Sequence, residues 1–249
     1  MSIVFLTTAD PLYLPPLFER VLERYGRHTL MVYAVPPLYK EQTVLQAAWR
    51  YFRTFGFGAV VRLVLRTARA KLRRQSIAAV CARHGVPYAE PRDVNAPEFL
   101  DELRKKSPDV IVSVSCPQIF KKPLIDLPPK GLLNVHGAIL PHYRGVMPSF
   151  WMLANGEREA GVSIYFVNEQ IDAGDLCGQR VFDISPDESL DTFLRRSKVI
   201  AADLLIDVLD RVERGEETRT PLDLSLGSYY SWPDKDAVRL FRAAGRTLW

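Results

Sequence analysis

The chain has 249 residues, 47% hydrophobic and 25% charged, with a formal net charge of +4. This balance is that of an ordinary globular protein rather than a disordered one, and sets the expectation of one domain around a single main core. Cys81, Cys116 and Cys177 are odd in number and form no C-x-x-C pair. That argues against a disulfide framework or a zinc site and for buried, reduced thiols in the cytoplasm.

The opening, MSIVFLTTAD, lacks the basic start and long apolar centre of a signal peptide, and its apolar run has strand length. A buried strand is expected over 2–7, with a turn at Thr8 to Asp10; no G-x-G-x-x-G follows, so this loop gives no support for a dinucleotide. Helical spacing over 14–25 and strand character over 28–35 complete the opening of a parallel sheet. Residues 43–75 break this rhythm with two predicted amphipathic helices, hinged in the F-G-F-G of 55–58. Arg50, Arg53, Arg62, Arg66, Arg69, Lys71, Arg73 and Arg74 lie there without an acidic residue between them. No apolar run approaches the roughly 20 residues of a membrane span. Three readings stand for this segment: a cap on its own domain or on a homodimer partner, a basic amphipathic element in peripheral contact with an anionic membrane, or a cleft-lining helix that offers arginines to phosphate.

A helix is predicted over 76–83, a short strand over 86–89, and a helix over 96–106 whose acidic start and basic end suit its dipole. The β-branched run Val110 to Val114 reads as a central strand. After it comes LLNVHGAILPHYRG at 132–145, another apolar strand, broken at Gly137 and Pro141. A helix over 148–155 with Trp151 and Met152 toward the core, a strand over 160–167, an acidic loop over 168–175, a strand over 176–184 and a long covering helix over 190–212 follow. The fold class is α/β: a Rossmann-like mixed, mostly parallel sheet with helices on both faces. The expected domain scheme is a catalytic domain over 1–212 with a basic helical insertion at 40–75, and a short aromatic-rich extension over 213–249. In that extension Tyr229, Tyr230 and Trp232 cover a cleft, meet a partner subunit or pack a final helix ending in Leu248 and Trp249.

Asn134 and His136 are two residues apart on one strand, so their side chains share a face at its carboxyl end, where open α/β sheets place ligands. Asp172, in the I-D-A-G-D of 171–175, is a candidate partner for the imidazole, because a nearby carboxylate orients it and favours its charged form. An isolated Asn-x-His pair is more often a satisfied structural group than a catalyst. His136, His142 and Asp172 lack the spacings that make a metal claim strong, and no metal is expected. No G-x-S-x-G elbow is present, so covalent catalysis has little support.

The wider pattern, N-V-H-G-x-x-L-P-x-Y-R-G, then G-V-S-I, then I-D-A-G-D, resembles the folate-dependent formyltransferases over about 108–208. It looks most like the amino domain of methionyl-tRNA formyltransferase and the enzymes that formylate nucleotide-linked amino sugars. Glycinamide ribonucleotide formyltransferase is a more distant relative. The resemblance implies a catalytic trio of Asn134, His136 and Asp172, with the histidine and aspartate 36 residues apart. It also implies a folate site at Gln118, Ile119 and Phe120, where main-chain groups meet the pterin, with Asp175 taken on the cofactor side. 10-Formyltetrahydrofolate is the implied formyl donor. In the implied reaction His136 and Asn134 donate hydrogen bonds to the oxyanion, while Asp172 holds the imidazole or takes a proton from the amine. The implied acceptor is a small, phosphorylated amine, foremost a nucleotide-linked amino sugar; His142 and Arg144 shape the loop or greet its charge. tRNA is not expected, since the 37 residues after Val212 are too few for the β-barrel of tRNA-acting members. A hydrolase that gives the formyl group to water, and a non-catalytic folate-binding or assembly module, are the alternatives.

Overall fold

The structure, a computed structural model, describes residues 1–36 and 43–249. Of the predicted helical insertion, 40–42 lie outside the described residues. The strands are β1 (Ile3–Thr8), β2 (Thr29–Val35), β3 (Tyr88–Ala89), β4 (Val110–Val114), β5 (Leu132–His136), β6 (Arg144–Gly145), β7 (Glu159–Phe166), β8 (Leu176–Asp183) and β9 (Tyr229–Tyr230). Among the described residues, seven form one sheet in the order β3-β2-β1-β4-β5-β7-β8. β3 to β5 are mutually parallel across that order, whereas β7 runs antiparallel to β5, and β8 to β7. The sheet is therefore mixed and mostly parallel. Every residue of β1 and β4 is buried, as apolar strands covered on both faces must be.

The helices are α1 (Pro15–Tyr25), α2 (Val44–Phe55), α3 (Phe57–Leu72), α4 (Ile77–Arg83), α5 (Pro97–Lys106), α6 (Lys122–Ile125), α7 (Pro148–Ala154), α8 (Leu190–Arg214) and α9 (Lys235–Ala243). On one face α1 and α8 bury Phe18, Val21, Leu205, Val208 and Leu209 against Phe5, Val110, Val112 and Ile164. α8 buries Phe193, Ser197, Ala201, Leu204, Leu205, Val208 and Val212, the i, i+4, i+8 stripe of a covering helix. On the other face Phe99, Leu100 and Leu103 of α5 pack on Val4, Leu6 and Tyr33. A fully buried side chain of this size contributes about 1.5–3 kcal/mol relative to exposure.

Three details differ from the sequence reading. The last helix stops at Ala243, and Leu248 and Trp249 follow in non-helical chain. Met152 is buried, but Trp151 is half-buried, because its indole N–H donates to the Ser231 carbonyl (3.0 Å) and its ring meets Tyr230. The tail also adds a strand: β9 pairs in parallel with β6, directly after the central motif. A two-residue strand leaves too short a pattern to read from sequence.

The basic insertion is seated on its own domain along one side. Phe55 of α2 meets Phe150 edge to face, and the Trp232 indole N–H donates to Thr54 Oγ1. Arg66 of α3 pairs with Asp191 at 2.5 Å and lies over the Trp249 ring. Burial pushes the Asp191 carboxyl up, but hydrogen bonds from Arg66, Tyr13 and Arg195 outweigh it and hold the group below the ordinary value of 3.8. A depressed carboxylate contributes stability that is present above its unfolded value and is lost as pH falls through its folded one. Asp191→Asn is therefore expected to lower the melting temperature at neutral pH, with the gap to the parent narrowing below pH 3.8. A gap unchanged down to about pH 3 in thermal melts would assign the loss to packing instead.

Candidate active site

The sheet reverses direction of winding between β1 and β4, and the chain leaves both strands at the same edge, where doubly wound folds bind ligands. A cleft of about 550 Å³ opens there. Thr8 of β1, Ser113 and Ser115 at the end of β4, and Asn134 and His136 of β5 form its floor. The loop Cys116 to Phe120 and the loop Val167 to Asp172 flank it on one side. Asp10, Tyr13, Arg50, Leu190, Leu194, Lys198, Tyr229 and Trp232 also line it.

The predicted trio meets in this cleft. His136 is buried, and its Nε2 lies 2.9 Å from the Tyr143 carbonyl oxygen. A carbonyl only accepts, so Nε2 carries a hydrogen and donates. That leaves Nδ1, 3.7 Å from Asp172 Oδ2, as the nitrogen that can take up or give a proton. Asp172 has φ of +49°, a left-handed conformation that aspartate tolerates better than most residues. Its Oδ2 accepts from the Gly145 N–H at 2.7 Å and its Oδ1 from the Tyr165 hydroxyl at 2.8 Å. Asn134 Nδ2 donates to the same hydroxyl at 3.0 Å, which leaves its second amide hydrogen for a ligand.

Tyr165, which the sequence reading did not single out, thus joins Asn134 to Asp172. It lies opposite Asn134 in the β5–β7 register, as Ser163 lies opposite His136. Burial first, then the Asp172 charge, pushes its hydroxyl well above the usual tyrosine range, so it stays a donor. A signal was present: Ser163 and Tyr165 are two polar-tipped residues two apart in an apolar strand, the same pattern as Asn134 and His136. Ser163 ties down the loop after His136, donating to the Ala138 carbonyl at 2.6 Å and accepting from Leu140 N–H and Gln179 Nε2.

Gln118, Ile119 and Phe120 line the cleft as well. The Gln118 side chain is a strut: its Oε1 accepts from Val94 N–H at 2.9 Å and its Nε2 donates to the Arg92 carbonyl at 2.6 Å. Ile119 is exposed at the mouth. Asp175, expected on the cofactor side, does not line the cleft; it sits just before β8, where its carbonyl accepts from Phe166 N–H. The turn of D-A-G-D carries it away from Asp172. His142 is exposed, and neither it nor Arg144 lines the cleft. Arg144 instead pairs with Tyr229 in the small sheet. Burial pushes the Cys116 thiol up to about 12, which suits packing rather than a nucleophile. Among the described residues, no group of three or more His, Cys, Asp or Glu side chains could hold a metal ion.

Other residues that line the cleft are polar and aromatic. Lys198 Nζ donates to Ser115 Oγ at 3.0 Å, and burial lowers its pKa against the opposing charge of Asp10. Burial pushes the Asp10 carboxyl up, opposed by the Leu12 backbone N–H and the Lys198 charge. Arg50 lies 4.0 Å from the centre of the Trp232 ring, a cation–π contact. Sequence reading found neither Lys198 nor the meeting of Arg50 with Trp232, because 182 residues part the latter two and spacing carries no sign of contact.

The fold and the cleft are those of an α/β domain whose polar groups gather at the carboxyl ends of parallel strands. The chain belongs to the formyl transferase family, whose model matches residues 42–209. It is 37% identical over 175 residues to a methionyl-tRNA formyltransferase of Citrifermentans bemidjiense, covering 68% of this chain and 55% of that protein. The chain thus spans about half the length of the curated relatives it matches. Among solved structures, a sugar N-formyltransferase from a Shewanella species superposes with a TM-score of 0.60 at 16% identity, over 93% of this chain and 76% of that one. An N-formyltransferase from Helicobacter canadensis, solved with folinic acid and dTDP-3-aminofucose, gives 0.60 at 17% identity, over 93% and 71%. At such identities the superpositions establish the fold. Members of the family typically use 10-formyltetrahydrofolate.

Proposed function

We propose that the chain is an N-formyltransferase that moves the formyl group of 10-formyltetrahydrofolate to a small amine, foremost an amino sugar carried by a nucleotide. The observation that carries this reading is the convergence of Asn134, His136 and Asp172, through Tyr165, on the floor of one cleft. Its volume lies in the range of small-molecule sites, and the loop with Ile119 and Phe120 offers an apolar ledge to a flat ring. The donor supplies the formyl carbon: its bond to the folate nitrogen breaks, a bond to the acceptor nitrogen forms, and one proton passes from that amine to the folate nitrogen.

The chain's own residues would assist as follows. The free amide hydrogen of Asn134 and a proton on His136 Nδ1 meet negative charge that develops on the formyl oxygen; each such donor supplies about 3–4 kcal/mol when preorganised. Asp172 fixes the imidazole and balances its charge. On the acceptor side, Trp232 and Tyr229 offer aromatic surface to a base, while Lys198 and Arg50 suit phosphate. The relatives solved as sugar N-formyltransferases, one with a nucleotide amino sugar bound, favour this acceptor class.

The test follows tetrahydrofolate release by absorbance from 10-formyltetrahydrofolate with a panel of amines and with none. Turnover that requires an amino sugar nucleotide supports the proposal; equal turnover without any amine overturns it in favour of hydrolysis. Tyr165→Phe removes a hydroxyl that bonds both Asp172 and Asn134, and is expected to lower kcat about tenfold or more, with a melting temperature a few degrees lower. Steady-state kinetics beside a thermal melt checks this, and an unchanged kcat would remove Tyr165 from the relay.

A further inference from the structure

The outward sides of α2 and α3 are apolar. On α3, Phe57, Val61, Val64, Leu65 and Leu72 are exposed, Leu65 at 64% and Leu72 at 86%. At 3.6 residues per turn these five fall on one stripe. The stripe lies opposite the buried Ala59 and Ala70, which face the domain. On α2, Leu45, Trp49 and Phe52 recur at i, i+4 and i+7; Trp49 is 60% exposed and its ring stacks on Phe52. Thr54 lies opposite this stripe and Phe55 to one side of it, and the two seat the helix on Trp232 and Phe150.

The charge around these stripes is of one sign. Exposed Arg69 and Lys71 flank the α3 stripe, about 80° to either side of its centre, and exposed Arg53 stands beside the α2 stripe. Arg73 and Arg74 follow at the end of α3. Residues 43–75 contain no carboxylate. An ordinary surface helix turns its apolar stripe inward and its charges out; α3 carries a full apolar stripe to solvent with cations at its edges. That is the arrangement of a helix lying in a lipid interface, with basic stems reaching back to headgroups. No helix among the described residues is long and apolar enough to cross a membrane.

We propose that the α2–α3 pair docks the enzyme on an anionic lipid surface, with the two stripes inserted at the headgroup boundary. Charge selects this occupant over a second copy of the chain. A two-fold pairing through this face would set exposed Arg53, Arg69, Lys71, Arg73 and Arg74 against the same five residues, with no carboxylate in the segment to meet them. Anionic headgroups supply that countercharge.

The test is flotation of the full chain with vesicles of phosphatidylcholine alone and of phosphatidylcholine with phosphatidylglycerol, at low and high salt, alongside Trp49 emission. The expected result is binding that requires the anionic lipid, weakens with salt and blue-shifts an emission component lost in Trp49→Phe. Two variants, Val64→Glu with Leu65→Glu, and Arg69→Gln with Lys71→Gln and Arg73→Gln, are each expected to weaken binding by about tenfold or more. Thermal melts check that both fold; should the glutamate variant fail to, the glutamine variant carries the test. Absence of flotation at low salt, equal binding to neutral vesicles, or binding that neither variant weakens overturns the proposal. So does a sedimenting dimer that dissociates in the variants, which would give the face to a second copy.

Discussion

His136→Ala is expected to lower kcat by about a hundred- to a thousand-fold, the worth of one preorganised oxyanion donor, while the melting temperature and folate binding change little. The fold tolerates the change because the ring's one short hydrogen bond is to the Tyr143 carbonyl, and Asp172 keeps two further partners, Gly145 N–H and the Tyr165 hydroxyl. Asp172→Asn is expected to cost at least as much. An aspartate accepts from both of those donors, whereas an asparagine carries one acceptor and one NH2, so one donor would face another donor. The double variant should be little worse than the worse single one, since both remove the same unit. Single-turnover formation of tetrahydrofolate, measured beside equilibrium folate binding, separates the outcomes. A His136→Ala enzyme with unimpaired kcat would remove the histidine from the reaction.

Gly145→Ala is expected to be nearly as damaging, at a residue with no side chain to react. Gly145 has φ of +96°, and a Cβ built there would stand 2.2 Å from the Tyr230 carbonyl oxygen, which is backbone and cannot swing aside. Its own N–H holds Asp172 Oδ2. The substitution must part β6 from β9 or turn that N–H away, and either shift propagates to the carboxylate. A misplacement of about 1 Å at a catalytic group can cost a hundred-fold in rate. The expected signature is a large fall in kcat with folate binding retained and a melting temperature a few degrees lower. Wild-type kinetics in Gly145→Ala would show that the contact of β6 with β9 does not position Asp172.

Much of this was legible from residue patterns, and the failures have physical causes. Apolar runs located the buried strands and periodicity the long helices, because burial on both faces leaves an unbroken run, as in β4, and a helix stripe leaves a repeating mark, as in α8. Asn134, His136 and Asp172 were legible because each lies in a short local motif. Tyr165 left only the weaker mark of its spacing from Ser163, because its role arises from the antiparallel β5–β7 register, set by tertiary pairing. Asp172 and Asp175 lie three apart in one tight loop, and sequence does not say which turns inward; Asp172 lines the cleft. The tail strand β9 exists only through its partner β6. The amphipathic character of 43–75 was plain, but periodicity does not reveal which stripe faces the domain. The structure turns an arginine-bearing side inward, with Arg50 on Trp232 and Arg66 on Asp191, and leaves the apolar stripes out.

The two sides of the cleft have different ancestries in the chain. Asn134, His136, Gly145, Tyr165 and Asp172 fall within one continuous stretch spanning three strands. The opposite wall is assembled from Asp10 and Tyr13, from Arg50, from Lys198, and from Tyr229 and Trp232, contributed by four separated segments. Mutational drift in any one of those segments can reshape what the cleft admits while the reactive stretch stays intact. If the proposed transfer holds, substitutions at Arg50, Lys198 and Trp232 are expected to alter which acceptor the cleft admits more than the rate of the chemical step.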